Sequence, residues 1–155
     1  MKRLLLAALL LGNMAQAAST ATLLLSGTVQ EIMEISVEPS ANATNLNISG
    51  GEIAKQVAIA TETSNSLSGY KISLRSLNAS RLVHTANSSK STSYTISYNG
   101  GSYISLSNVD QVVKSVNSLS GLATQTSDIK VNVLAYVGAP AGTYSDIVTI
   151  SISAN

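Results

Sequence analysis

Strict alternation of apolar and polar positions recurs along this chain, and helical spacing does not. Tyr70, Ile72 and Leu74 alternate with Lys71, Ser73 and Arg75 behind Gly69, which predicts a half-buried strand. Tyr94, Ile96 and Tyr98 repeat the pattern up to an Asn99-Gly100-Gly101 turn, after which Tyr103, Ile104 and Leu106 read as the returning arm of a hairpin. Ile129, Val131, Val133, Ala135 and Val137 predict a long strand ending at Gly138. Pro140 and Gly142 then turn the chain into a last strand that runs toward Asn155. Shorter strands are expected over Ile32 to Val37 and over Val57 to Ala60, with Leu46 and Ile48 between them and Gly50-Gly51 as a break. Val112, Val113 and Val116 fall at helix-like spacing, but Asn117, Ser118 and Ser120 favour a loop, so Val109 to Gly121 is expected to be one. Ala21 to Val29 reads as a further strand.

Roughly seven short strands with turn signals every eight to twelve residues predict an all-β, two-sheet sandwich of immunoglobulin-like type. Composition agrees. Charged residues make up 11% of the chain, there is no Cys, Phe or Trp, and six Tyr must join Val, Ile and Leu in the core. Without cysteine a disulfide framework, thiol catalysis and cysteine metal sites are excluded together. At the start, Lys2 and Arg3 precede the apolar stretch Leu4 to Leu11 and the small-residue site Ala15-Gln16-Ala17, a secretory leader over 1–17 that is too short to span a bilayer. The mature chain is expected to begin at Ala18 and to reach the periplasm and then the cell surface. No second apolar run of membrane-spanning length follows. Losing Lys2 and Arg3 removes two of nine basic residues against eight acidic ones, so the secreted part is close to neutral and carries no basic stripe for nucleic acid.

The inventory for catalysis is thin, and the chain is not read as an enzyme; no metal or cofactor is expected. His84, the only histidine, sits in Leu82-Val83-His84-Thr85 and reads as a polar strand-end residue. Asp146 falls within the predicted final strand and reads as a solvated outer-face carboxylate. Asn42, Asn47, Asn78 and Asn87 each begin an Asn-X-Ser/Thr triplet and read as turn and loop polarity. Gly50-Gly51 and Gly100-Gly101 lack the strand-loop-helix context of a phosphate cradle.

The two ends carry the specific pattern. Counting back from Asn155 as one, Gly142 is the fourteenth residue, and Val148, Ile150 and Ile152 are the eighth, sixth and fourth. That spacing resembles the carboxy-terminal motif of chaperone-usher pilins. Ala21, Leu23, Leu25, Gly27 and Val29 resemble the same family's donor strand, in which apolar residues alternate and a glycine interrupts them. Glu62 to Leu74 is similar to the interior of the archaic, spore-coat-U-like branch, and the absence of cysteine fits a cysteine-free branch.

The resemblance implies a sandwich that lacks its last strand, with Gly142, Tyr144, Val148, Ile150 and Ile152 on the acceptor side of the opening. It also implies an extension over 18–30 ahead of a domain over 31–155, and assembly into an adhesive surface fibre (a fimbria). The implied partners are neighbouring copies or related subunits, a periplasmic chaperone and an outer-membrane usher. The chain departs from the family's common pattern in having no disulfide and in carrying Ala154 where many members have a large apolar penultimate residue. The alternative is a monomeric secreted or periplasmic immunoglobulin-like binding module, complete in itself.

Overall fold

A computed structural model describes residues 19–155. The leader over 1–17 and the start at Ala18 lie outside the described residues. The strands in chain order are β1 (Met33–Pro39), β2 (Glu52–Ser64), β3 (Tyr70–Ser76), β4 (Arg81–His84), β5 (Ser91–Tyr98), β6 (Gln111–Val116), β7 (Ala123–Val133), β8 (Tyr144–Ser145) and β9 (Val148–Ala154). A 3-10 turn, Ala41–Thr44, follows β1. The fold is all-β, and the strands form two antiparallel sheets. One has six strands in the order β1-β2-β7-β5-β4-β8, and the other has three in the order β6-β3-β9.

Alternation places the core as the sequence predicts. Tyr70, Ile72 and Leu74 of the smaller sheet meet Ala58, Ala60, Tyr94, Ile96, Tyr98, Ile129, Val131 and Val133 of the larger one, all buried. The Val57 to Ala60 strand is longer than expected. Its inward positions continue from Ala58 and Ala60 to Glu62 and Ser64, so a carboxylate enters the core on the same face as two alanines.

That carboxylate is fully satisfied. Glu62 is 0% exposed and accepts hydrogen bonds from Tyr70 (2.6 Å), Tyr98 (2.5 Å), Ser127 (2.7 Å) and the Lys114 ammonium (2.7 Å). Those four donors stand on β3, β5, β7 and β6, so one side chain of β2 ties both sheets together. Burial alone would push the Glu62 carboxyl up. The bonds from Lys114, then Tyr70, Tyr98 and Ser127, outweigh burial and hold it below its ordinary 4.5. Burial, and then Glu62 itself, push the Tyr70 and Tyr98 hydroxyls far above their usual range, so both remain donors.

Several expectations are corrected. Residues 111–116 form β6 rather than a loop. Ile72 pairs with Lys114 and Ser73 with Val112, so a bulge skips Val113, and that extra residue is what gave the three valines a helix-like spacing. The long strand ends at Val133, short of Ala135 and Val137. Beyond Ser93, β5 offers no further ladder, and the Leu134 carbonyl is taken by the Thr92 hydroxyl at 2.6 Å. The returning arm at Tyr103 to Leu106 reduces to one bridge, Ile104 against Ile96.

The final strand is two strands. β8 pairs with β4 in the larger sheet and β9 with β3 in the smaller, so the chain changes sheets at Asp146-Ile147. Asp146 is therefore not a solvated outer-face carboxylate. It accepts from Ser76 (2.5 Å), the Asn78 N–H (2.9 Å), Tyr94 (2.6 Å) and the Ile147 N–H (2.8 Å), which pins the crossing in place. The segment Ala21 to Val29, read as a strand, has no strand partner in its own chain and is not one.

The Glu62 cluster generates a stability prediction. Because the folded carboxyl titrates below its unfolded value, its charge stabilises the fold above pH 4.5, and this stabilisation is lost as pH falls through the folded value. Lys114→Met strips the counter-charge from a buried carboxylate and is expected to cost about 3 to 5 kcal/mol at neutral pH. Urea unfolding at about pH 7 and about pH 3.5 checks it. The deficit against the parent should narrow on acidification, because without Lys114 burial holds the Glu62 carboxyl higher, and its protonation removes the unpaired buried charge.

Candidate functional site

Each sheet ends on one side in a strand with a free edge. β1 closes one side of the larger sheet and β9 one side of the smaller, and the two approach each other without a ladder between them. Between them lies an apolar groove of about 380 Å³. Its rims are Val37 and Pro39 from β1 and Val148 and Ile150 from β9. Its floor is core: Ala58, Ile96, Ile129, Val131 and Val133, with Leu46, Val57 and Leu82 at the margins. Asp146 stands at the β9 end, where its hydrogen bonds within the chain already occupy the carboxylate.

The five residues of the expected acceptor set lie in different places. Val148 and Ile150 line the groove, whereas Ile152 packs on the core further along β9. Gly142 and Tyr144 do not reach the groove; they build a corner around His84. The Ala86 N–H donates to His84 Nδ1 at 3.1 Å, which leaves the proton on Nε2 to be donated to the Ala141 carbonyl at 3.1 Å. The ring meets Tyr144 edge-on, with centroids 5.0 Å apart. Gly142 lies against the imidazole with φ +145°, and a Cβ there would come 2.2 Å from Nε2. His84 is thus a structural residue at the end of β4, and Gly142 is glycine for a local reason.

Sequence reasoning missed the β1 rim and Leu46. The available signal was the continuation of the inward period from Ile35 to Val37 and Pro39, together with Leu46 in a segment that had no strand of its own. Of the four Asn-X-Ser/Thr asparagines, two take turn roles: Asn47 accepts the Gly50 N–H at 2.8 Å and Asn87 the Ser89 N–H at 3.1 Å, whereas the Asn42 and Asn78 side chains donate across the fold to the Gln56 and Ser145 carbonyls.

The proposed donor residues lie away from the groove. Leu23, Leu25 and Val29 are 80%, 82% and 87% exposed, and an added Cβ on Gly27 would meet nothing within 4 Å. With Leu24, four large apolar side chains stand in open solvent on one short segment, an unmet hydrophobic demand. The segment enters β1 through Asn65, whose side chain accepts the Ile32 N–H (2.7 Å) and donates to the Gln30 carbonyl (2.8 Å). Among the described residues no group of three or more metal-ligating side chains comes together, and no helix is long and apolar enough to cross a membrane. No protein-family model matches the chain, and no curated protein matches it.

The His84 corner predicts non-additivity. Gly142→Ala is expected to destabilise the fold by about 1 to 3 kcal/mol through backbone strain and the imidazole clash. In a His84→Ala background the clash is removed and only the strain remains, so the same substitution should cost less by about 0.5 kcal/mol or more. Chemical denaturation of the four proteins in the cycle measures it. Equal costs in both backgrounds would mean that the imidazole is not what excludes a side chain at 142.

Proposed function

We propose that this chain is a structural subunit of a bacterial surface fibre, assembled by donor-strand exchange and supporting adhesion. Its sandwich is of immunoglobulin-like type and lacks one strand, and the opening lies between β1 and β9. The observation that carries this reading is the pairing of two unmet demands in one molecule: an apolar groove flanked by two unpaired edges, and an exposed apolar segment with no place in its own domain. A strand laid in the groove would complete backbone ladders on its flanks and bury alternate side chains in the floor, which is β-augmentation. Leu23, Leu25 and Val29 would each contribute about 1.5 to 3 kcal/mol by leaving water. The contact joins different surfaces of successive copies and does not close on itself, so it propagates as a filament. By the same resemblance the chain is exported, held by a periplasmic chaperone in the groove, and passed to an usher.

Gly27 supplies the test. Nothing in the chain's own fold requires glycine there, since a side chain would enter open space. Gly27→Val should therefore leave the unfolding of the monomer unchanged. In the groove, by contrast, an added side chain on the inward face overpacks the floor at a cost of about 1 to 3 kcal/mol. Polymer yield is expected to fall by about tenfold for Gly27→Val and to stay near the parent's for Thr28→Val, whose side chain faces away. Equal yields from the two variants would refute strand exchange through this segment. A parent that remains a stable monomer at all concentrations would favour the self-contained binding module instead.

A further inference from the structure

If the segment over 21–29 fills a groove, it has two grooves to choose from, its own and a neighbour's. Nine residues at about 3.3 Å each reach about 30 Å, and β1 is seven residues long, so the segment is long enough to fold back over its own domain. A hairpin at Gln30 to Ile32 would lay it beside β1 and over Val37 and Pro39. Tethering favours that outcome: a short flexible link gives an effective concentration on the order of millimolar, above any concentration at which subunits normally meet. A chain built this way would close on itself and never polymerise, unless its geometry forbids the turn.

Asn65 is placed to forbid it. The residue directly follows β2, whose last member, Ser64, pairs with Met33 at the start of β1. Asn65 then continues the ladder one step beyond the strand. Its N–H donates to the Ile32 carbonyl at 3.2 Å, its side-chain oxygen accepts the Ile32 N–H at 2.7 Å, and its side-chain nitrogen donates to the Gln30 carbonyl at 2.8 Å. The side chain thus substitutes for backbone that β2 no longer supplies, and it draws residues 30–32 straight on along the line of β1. The chain leaves past the β2–β3 turn, where Val29, Gln30 and Glu31 border one hollow with Ser66, Leu67 and Ser68. That exit is at the Met33 end of β1. The groove opens at the other end, beside Val37 and Pro39.

We infer that Asn65 is a positioning residue that selects the partner: by holding Gln30 and Ile32 in line with β1 it blocks self-closure and commits the donor segment to a second copy of this chain. The inference rests on the donor-strand reading above. It assigns to one amide side chain the choice between monomer and fibre.

The experiment compares the full chain, exported with residues 1–17 in place, with Asn65→Ala and Asn65→Asp. Each protein is unfolded and refolded over a range of concentrations. Light scattering then gives the ratio of monomer to polymer, and a fluorescent peptide of sequence 18–29 reports whether the monomer's groove is open. The parent should polymerise increasingly with concentration, and its monomer should bind the peptide. Asn65→Ala loses both side-chain bonds and should raise the ratio of monomer to polymer about tenfold, with a monomer that no longer takes up peptide because its own segment fills the groove. Asn65→Asp keeps an acceptor for Ile32 but loses the donor to Gln30, and it should fall between the two. It also decides the matter if the alanine variant does not fold.

Adding Leu23→Ser, Leu25→Ser and Val29→Ser to Asn65→Ala should reopen the groove and restore peptide uptake, which a merely damaged fold would not do. Parent-like polymerisation of the folded variants, or an Asn65→Ala monomer that still binds peptide, would overturn the role of Asn65 and leave the donor-strand reading intact. A parent that neither polymerises nor binds the peptide would overturn the donor-strand reading itself, and this inference with it.

Discussion

The structure depends on a mismatch between its two sheets. Six strands face three, and on one side the edges β1 and β9 come close without hydrogen bonding to each other. An unpaired strand edge beside exposed core is the feature that sheet proteins ordinarily cover or disrupt, because it invites any extended chain to pair. Here the rims are apolar and the floor is the hydrophobic core itself. The same chain carries an extension whose leucines and valine have no burial of their own. The demand and the supply have complementary chemistry, and they sit at opposite ends of β1.

A domain left open along one side must keep its two sheets in register by other means. With neither Phe nor Trp, the aromatic core is tyrosine, and each buried hydroxyl needs an acceptor. Two carboxylates provide it. Glu62 takes Tyr70 and Tyr98 and balances Lys114, while Asp146 takes Tyr94 and pins the crossing that delivers β9 to the groove. Among the described residues no buried side-chain nitrogen or oxygen lacks a partner. With no disulfide available, these polar clusters hold the sheets to each other across the core. A well-satisfied buried network of this kind favours one arrangement over its neighbours, since any shift in register leaves several buried groups unpaired at once.

The period-two runs that build the core were legible in the sequence because each was long and uninterrupted, as at Tyr70 to Leu74 and Tyr94 to Tyr98. What hid β6 was a bulge: one extra residue at Val113 breaks the alternation that identifies a strand, although the pairing on both sides continues. What hid the division of the last strand was Asp146, whose role depends on Ser76, Asn78 and Tyr94, far away in sequence. The groove was less legible, because its lining comes from segments far apart in sequence. Val148 and Ile150 belong to the terminal motif singled out by resemblance, but Leu46, Leu82 and the β1 rim become lining only once the sheets are stacked. Gly142 was expected on the acceptor side, but its neighbour is His84, a contact that no local pattern encodes.

Amide hydrogen exchange on the assembled protein tests the central claim most directly, because it reads the backbone of the donor segment and of both groove edges in one experiment. In the monomer, the amides of residues 21–29 should exchange at the rate of an unstructured peptide. In the fibre, Leu23 to Val29 should become protected together with the outer edges of β1 and β9, to a similar degree, since all three would open only when the inserted strand leaves. A fibre in which residues 21–29 still exchange freely, or in which protection arises elsewhere while the β1 and β9 edges stay open, would contradict the account.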